Sequence, residues 1–177
     1  MRIFDTETTG LGADADVLEY GLIDENGVII MSGRCSPARH KSWPEAQKIH
    51  GIEPGMVAGL PLWSDIYPLL AKACKGHEVI IYNAAYDMQY CPGLEELAGS
   101  IKCCMNRYAE WNNEWDDYHD AYKWHKLVRA AKVAGYEWPG TMAAHNATGD
   151  ALATLAVWKF LDEQGDKGSV LHEISRV

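Results

Sequence analysis

The sequence predicts an α/β domain, and three observations carry that reading. Alternating apolar positions mark strands near residues 2–6, 17–24 and 27–34. A short, almost wholly apolar run at 78–82 suits a strand covered on both faces. Leu152, Leu155, Trp158 and Leu161, spaced by three or four, form the buried stripe of a long helix.

The elements follow in order. Glu25-Asn26-Gly27 is a turn between the second and third strands, so the chain starts with antiparallel pairing. A helix follows Pro44, and another covers about 62–74 with Pro68 as a kink or break. Asp87 falls in the first turns of the helix after the 78–82 strand. The last helix starts near Asn146 or Thr148 and puts Asp150 in its opening turn. Tyr108, Trp111, Trp115, Tyr118 and Tyr122 alternate steps of three and four, which on a helix is one aromatic stripe. Packing on the domain body is its first reading; a homodimer contact and a stacking surface for single-stranded bases are the others. Lys123, Lys126, Arg129 and Lys132 wind around the next helix as a solvated surface opposite Trp124, Leu127, Val128 and Ala131, with phosphate contact as the alternative. Residues 165–177 are polar, with Gly165 and Gly168, and read as a mobile tail.

With 177 residues the chain is expected to form one domain with a full core. It shows no signal-peptide pattern and no apolar stretch of about 18 residues, so a cytoplasmic protein without membrane partners is expected. The five cysteines lack Cys-x-x-Cys spacing and read as reduced, mostly buried thiols. A net charge of −9 excludes a protein that coats duplexes by neutralising many phosphates. It leaves room for short contact with a chain end, since two divalent ions would cancel four clustered acids.

Those acids lie in three short stretches: Asp5-Thr6-Glu7-Thr8-Thr9-Gly10-Leu11, Asn83-Ala84-Ala85-Tyr86-Asp87 and His145-Asn146-Ala147-Thr148-Gly149-Asp150. Alternate residues of a strand share a face, so Asp5 and Glu7 aim at one spot. Without a cation they would repel and one would take up a proton, which points to a hard-metal site with oxygen ligands.

The pattern resembles that of the DEDDh-type 3′-to-5′ exonucleases, the exonuclease X-T group that includes the proofreading subunit of the bacterial replicative polymerase. Asp-x-Glu-x-Thr-Gly reads Asp5 to Gly10, Asn followed four residues on by Asp reads Asn83 and Asp87, and His followed five on by Asp reads His145 and Asp150. Ile49-His50-Gly51-Ile52 supplies a fourth signature between the first two, so the matches run in family order from residue 2 to about residue 161.

The resemblance implies a ribonuclease H-like fold, a mixed central sheet flanked by helices, with the exonuclease domain over 1–164. It implies hydrolysis of DNA, at single strands or frayed 3′ ends, to nucleoside 5′-monophosphates by two Mg²⁺ ions about 4 Å apart, with Mn²⁺ as a substitute. Asp5 would lie between both ions, Glu7 and Asp150 would complete one site and Asp87 would help hold the other. His145 would act as general base. Thr8, Thr9 and Gly10 would bond the terminal sugar and Leu11 would wedge between the last bases. Ile49 and His50 belong at the terminal nucleotide, His50 with the alternative of fixing a turn beside Gly51. Asn83 either braces its motif or touches substrate. RNA trimming and a catalytically silent binding subunit are the alternatives. Cys103-Cys104-Met105-Asn106-Arg107 stands where many proofreading relatives carry Asp-Thr-Leu, so no polymerase partner is expected.

Overall fold

The computed structural model describes residues 1–139 and 145–165. Strands β1 (Arg2–Thr8), β2 (Val17–Asp24) and β3 (Ile29–Arg34) come first, then helices α1 (Pro44–His50), α2 (Pro54–Val57) and α3 (Trp63–Cys74). β4 (Glu78–Ile81), α4 (Ala84–Asp87), a 3₁₀ turn at Met88–Tyr90, α5 (Leu94–Leu97), β5 (Ser100–Cys103) and α6 (Cys104–Asn112) follow. A hairpin of β6 (Trp115–Asp116) and β7 (Ala121–Tyr122), then α7 (Leu127–Val133) and α8 (Ala147–Gln164), complete the described chain.

The main sheet has the order β3-β2-β1-β4-β5. β1–β2 and β2–β3 pair antiparallel, whereas β4 runs parallel to both β1 and β5. This is the mixed sheet that the resemblance implies. The β2–β3 turn closes because the Asp24 carboxylate accepts from the backbone N–H of Asn26 (2.8 Å) and Val28 (2.9 Å) while Gly27 takes φ +80°.

Alternation along the strands builds two apolar layers. Ile3, Ile23 and Ile80 pack on one face against Tyr108 of α6, Ala130 and Ala131 of α7 and the length of α8. Phe4, Leu22, Val79 and Ile81 pack on the other against Leu70, Ala71 and Cys74 of α3. Asp5 and Glu7 share the parity of Ile3, so both carboxylates rise on the α8 side. All five cysteines are free, and burial pushes the Cys35 thiol up to about 12 and the Cys74 thiol up to about 11, consistent with inert core residues. Among the described residues no helix is long and apolar enough to cross a membrane.

Three expectations need correction. Pro68 does not break α3, which continues through it from Trp63 to Cys74 with Pro68 and Ser64 both on the exposed side. The aromatic residues do not share one helix. α6 stops at Asn112 because Asn113 adopts a left-handed φ of +55°, and Asp116 then caps a tight turn by accepting from the N–H groups of Tyr118 (3.0 Å) and His119 (3.2 Å). Tyr108 is fully buried and Trp111 packs edge-on against Phe160 at 4.9 Å, but Trp115 is half exposed beside Tyr122 and Tyr118 stands 90% exposed. The basic run is likewise not one helix: Lys123 and Lys126 precede α7, and Trp124 and Val128 are exposed instead of inward. Lys123 and Arg129 both pair with Glu114, at 2.9 and 3.4 Å. Apart from Gly165, the expected tail at 165–177 lies outside the described residues.

Candidate active site

The site forms where α8 begins. Asp5 pairs across the ladder with Gly21 and Glu7 with Glu19, so these positions share one face of β1 and β2. A Cβ on Gly21 would lie 2.7 Å from the backbone C of Ala147 and N of Thr148. Only glycine lets the first turn of α8 rest directly on β2. Asn146 caps that turn, its side-chain oxygen accepting from Gly149 N–H at 3.1 Å, and its carbonyl accepts from Asp150 N–H at 2.8 Å.

His145 precedes the cap with φ +69°, a left-handed conformation uncommon outside glycine, and its backbone N–H donates to both Asp150 carboxylate oxygens at 3.3 Å. The result is a tight group: one ligand-type atom each from Glu7, His145 and Asp150, all within 4.8 Å of one another. Asp87 arrives from the end of α4. It is buried and held to β1 between the other two acids, its Oδ1 accepting from Thr6 N–H (3.1 Å) and Thr6 Oγ1–H (2.7 Å).

Crowding shows in the electrostatics. Burial, then the charges of Asp87, Asp150, Glu7 and Glu19, hold the Asp5 carboxyl well above the usual carboxylate range. Burial followed by Asp150, Glu19 and Asp87 pushes Glu7 up to about 8. Burial lifts Asp87 to about 7 against the two Thr6 hydrogen bonds, and lifts Asp150 against the His145 N–H. Buried carboxylates gathered in one cleft, two of them raised further by the charges of the others, form a donor set fitted to a divalent cation.

Glu7 also lines a cavity of about 580 Å³, together with residues 8–11 and 43–46, Ile49, His50 and Tyr86. Leu11 and Ile49 are exposed apolar side chains on that cavity. His50 braces its wall: Ile52 N–H donates to Nδ1 (3.0 Å), so Nε2 carries the proton and donates to the Thr8 carbonyl (3.1 Å). Burial lowers its pKa, which keeps the ring neutral. The turn-fixing reading of His50 is therefore satisfied, on a residue that also faces the cavity.

Thr8 Oγ1 donates to the Gly10 carbonyl (2.8 Å), Tyr86 OH donates to the same oxygen (2.7 Å), and the two hydroxyls touch. Thr9 Oγ1 accepts from Asp16 N–H at 2.9 Å. Both threonine hydroxyls are thus engaged inside the loop. Asn83 starts α4 without a side-chain capping bond, its carbonyl accepting from Tyr86 (2.9 Å) and Asp87 (3.4 Å), so any bracing comes from its backbone. Sequence reasoning missed Glu19 and Tyr86. The signal for Glu19 was a lone acid inside the apolar run Val17-Leu18-Glu19-Tyr20-Gly21-Leu22-Ile23.

Acids from β1, α4 and α8, with a histidine five residues before the last of them, on a mixed five-stranded sheet, define a DEDDh-type 3′-to-5′ exonuclease, a phosphodiester hydrolase. The profile of the RNase T exonuclease family matches residues 3–158, and the chain belongs to that family. It is 38% identical over 181 residues to an uncharacterized exonuclease, CP81, of Escherichia phage 186, covering 93% of this chain and 89% of that protein. It is 31% identical over 96 residues to the DNA polymerase III subunit epsilon of Treponema pallidum (strain Nichols), covering 49% of this chain and 42% of the subunit. Exonuclease X, solved in complex with 5′-overhanging duplex DNA, matches with a TM-score of 0.71 at 25% identity over 93% of this chain and 92% of its own. The nuclease domain of 3′hExo, a DEDDh family member bound to rAMP, shares the fold with a TM-score of 0.63 at 11% identity, covering 94% and 92%.

The raised pKa values set a pH dependence. A carboxyl whose pKa rises on folding binds its proton more tightly in the folded chain, so stability falls as pH climbs from the ordinary carboxylate range toward about 7 for Asp87 and about 8 for Glu7. In EDTA the melting temperature is expected to drop between about pH 5 and about pH 8.5. Mn²⁺ should raise it more at the higher pH, because cation and protons compete for the same oxygens. Thermal melts at constant ionic strength check this; a Mn²⁺ effect independent of pH contradicts it.

Proposed function

We propose that this exonuclease shortens DNA from single-stranded or frayed 3′ ends and releases nucleoside 5′-monophosphates. The observation that carries the reading is that Glu7 belongs both to the acid group with His145 and Asp150 and to the wall of the apolar cavity. A nucleotide seated in that cavity would present its phosphate to the acids. The match to exonuclease X in complex with duplex DNA supports DNA as the substrate class.

In this reading Asp5, Glu7, Asp87 and Asp150 would hold two Mg²⁺ ions, with Mn²⁺ as a substitute. Bound there, the cations supply charge relief at the phosphate and a more acidic attacking water. The chain's own residues do the rest. His145, with an exposed side chain, takes the proton of the attacking water. Leu11, 87% exposed, and Ile49, 60% exposed, hold the terminal base between them. Thr8 and Thr9 hold the loop with their hydroxyls, leaving its backbone for the sugar. At Gly10 a Cβ would meet nothing within 4 Å, so its missing side chain keeps open the approach to that backbone. His50 fixes the Thr8 carbonyl beside that approach, and Asn83 has an exposed side chain available to substrate.

The test is digestion of 5′-labelled single-stranded DNA, duplex DNA and RNA of matched sequence with Mg²⁺. Stepwise shortening of DNA from the 3′ end is expected, with single strands cut fastest. A 3′-phosphate should block it and circular single strands should resist, since neither offers a free terminal hydroxyl. Efficient cutting of circles would mean an endonuclease, and faster trimming of RNA would transfer the assignment to that substrate.

His145→Ala separates base from ligands. It is expected to keep Mn²⁺ and oligonucleotide binding while losing about 10²–10⁴ in rate. The deficit should shrink as pH rises and the attacking water ionises without help, whereas Asp150→Asn should remain impaired throughout. Single-turnover rates from about pH 6 to about pH 9.5 decide it: a deficit constant with pH would leave His145 a positioning residue.

A further inference from the structure

Glu19 lies in the cleft beside the proposed ligands, yet both of its oxygens are already occupied by the protein. Oε1 accepts from Arg34 Nε at 3.0 Å, while Oε2 accepts from Asn146 Nδ2 at 2.8 Å and from the backbone N–H of Ala147 at 3.0 Å. It is 7% exposed and stands directly across the ladder from Glu7. A fifth acid adds to the repulsion felt by Asp5, Glu7 and Asp150, so its presence calls for a role that a neutral side chain fills poorly. Three donors converge on it, and only a carboxylate offers acceptors alone. A glutamine would turn its own N–H₂ toward one of them, donor against donor.

The partners of Glu19 are the first residues of α8. Asn146 works in both directions: its amide nitrogen donates to Glu19, and its amide oxygen accepts from Gly149 to cap the helix. The Asn146 carbonyl receives the Asp150 N–H, and His145, one residue before, keeps its left-handed backbone by donating to the Asp150 carboxylate. Gly21, two residues along β2 on the same face, removes the Cβ that would push this turn away.

We infer that Glu19 is a positioning residue: through Asn146 and Ala147 it sets where His145 and Asp150 stand relative to Asp5 and Glu7. The inference rests on the proposed roles of those four residues. Glu19 touches neither cation nor substrate; it fixes the histidine and the carboxylate that do. Arg34 holds Glu19 from β3, so the chain of contacts runs from the sheet edge into the site.

Glu19→Gln, Asn146→Ala and the double variant test this by Mn²⁺ calorimetry, melting and single-turnover kinetics well below the melting temperature. Each single change is expected to lower the maximal rate about 10–100-fold and to weaken Mn²⁺ binding about tenfold, with KM nearly unchanged. The double variant should fall short of the product of the two single effects, because both changes remove the Glu19–Asn146 hydrogen bond. Effects that multiply in the double variant would overturn the inference. So would a Glu19→Gln protein that only melts earlier, with rate and Mn²⁺ affinity intact. Wild-type protein that cuts no oligonucleotide would remove the proposed function and leave the Mn²⁺ comparison to decide the role of Glu19.

Discussion

Like charges crowded into a half-enclosed cleft cost free energy, and this fold assembles them from three distant parts of the chain. β1 brings Asp5 and Glu7, α4 brings Asp87 and α8 brings Asp150; burial raises the hold of all four on protons, and the charges of Asp87 and Asp150 raise that of Asp5 and Glu7 further. The scaffold has to oppose that repulsion before any cation does. Phe4 and Ile3, wholly buried on opposite faces of β1, fix the strand that carries the first pair. Thr6 secures Asp87 with two hydrogen bonds, and Gly21 lets α8 settle on β2 closely enough to bring in Asp150.

The same arrangement divides labour between acids. Asp87 and Asp150 receive hydrogen bonds from the protein, which partly offset burial, whereas Glu19 is saturated by three donors. Hydrogen bonding thus separates a carboxylate that organises the site from those open to a ligand. The neighbouring cavity is organised in parallel: His50 holds the Thr8 carbonyl and Tyr86 the Gly10 carbonyl, leaving Leu11 and Ile49 as its exposed apolar edges.

Much of this was legible in the sequence because it rests on local periodicity. β1, β2, β3 and α8 follow from alternation and helical spacing, and Asp5, Glu7, Asp87, His145 and Asp150 sit in short motifs. What escaped depends on tertiary partners. β5 has only four residues and passes straight into α6 at Cys104, leaving no turn signal between them. The spacing of Tyr108, Trp111, Trp115, Tyr118 and Tyr122 imitated a helix, but Asn113 turns left-handed and the Asp116 carboxylate accepts from the backbone of the turn that follows. Glu19 could not be assigned from its position, since its meaning comes from Asn146, more than a hundred residues away.

The proposed purpose of the crowded acids is to hold cations. It is tested most directly by titrating Mn²⁺ into the wild-type chain and Asp5→Ala, with activity and melting measured on the same samples. Asp5→Ala is expected to lose hydrolysis and to bind Mn²⁺ more weakly, yet to melt no lower than wild type without metal, because one crowded charge is gone. Unchanged Mn²⁺ affinity with full activity would contradict it.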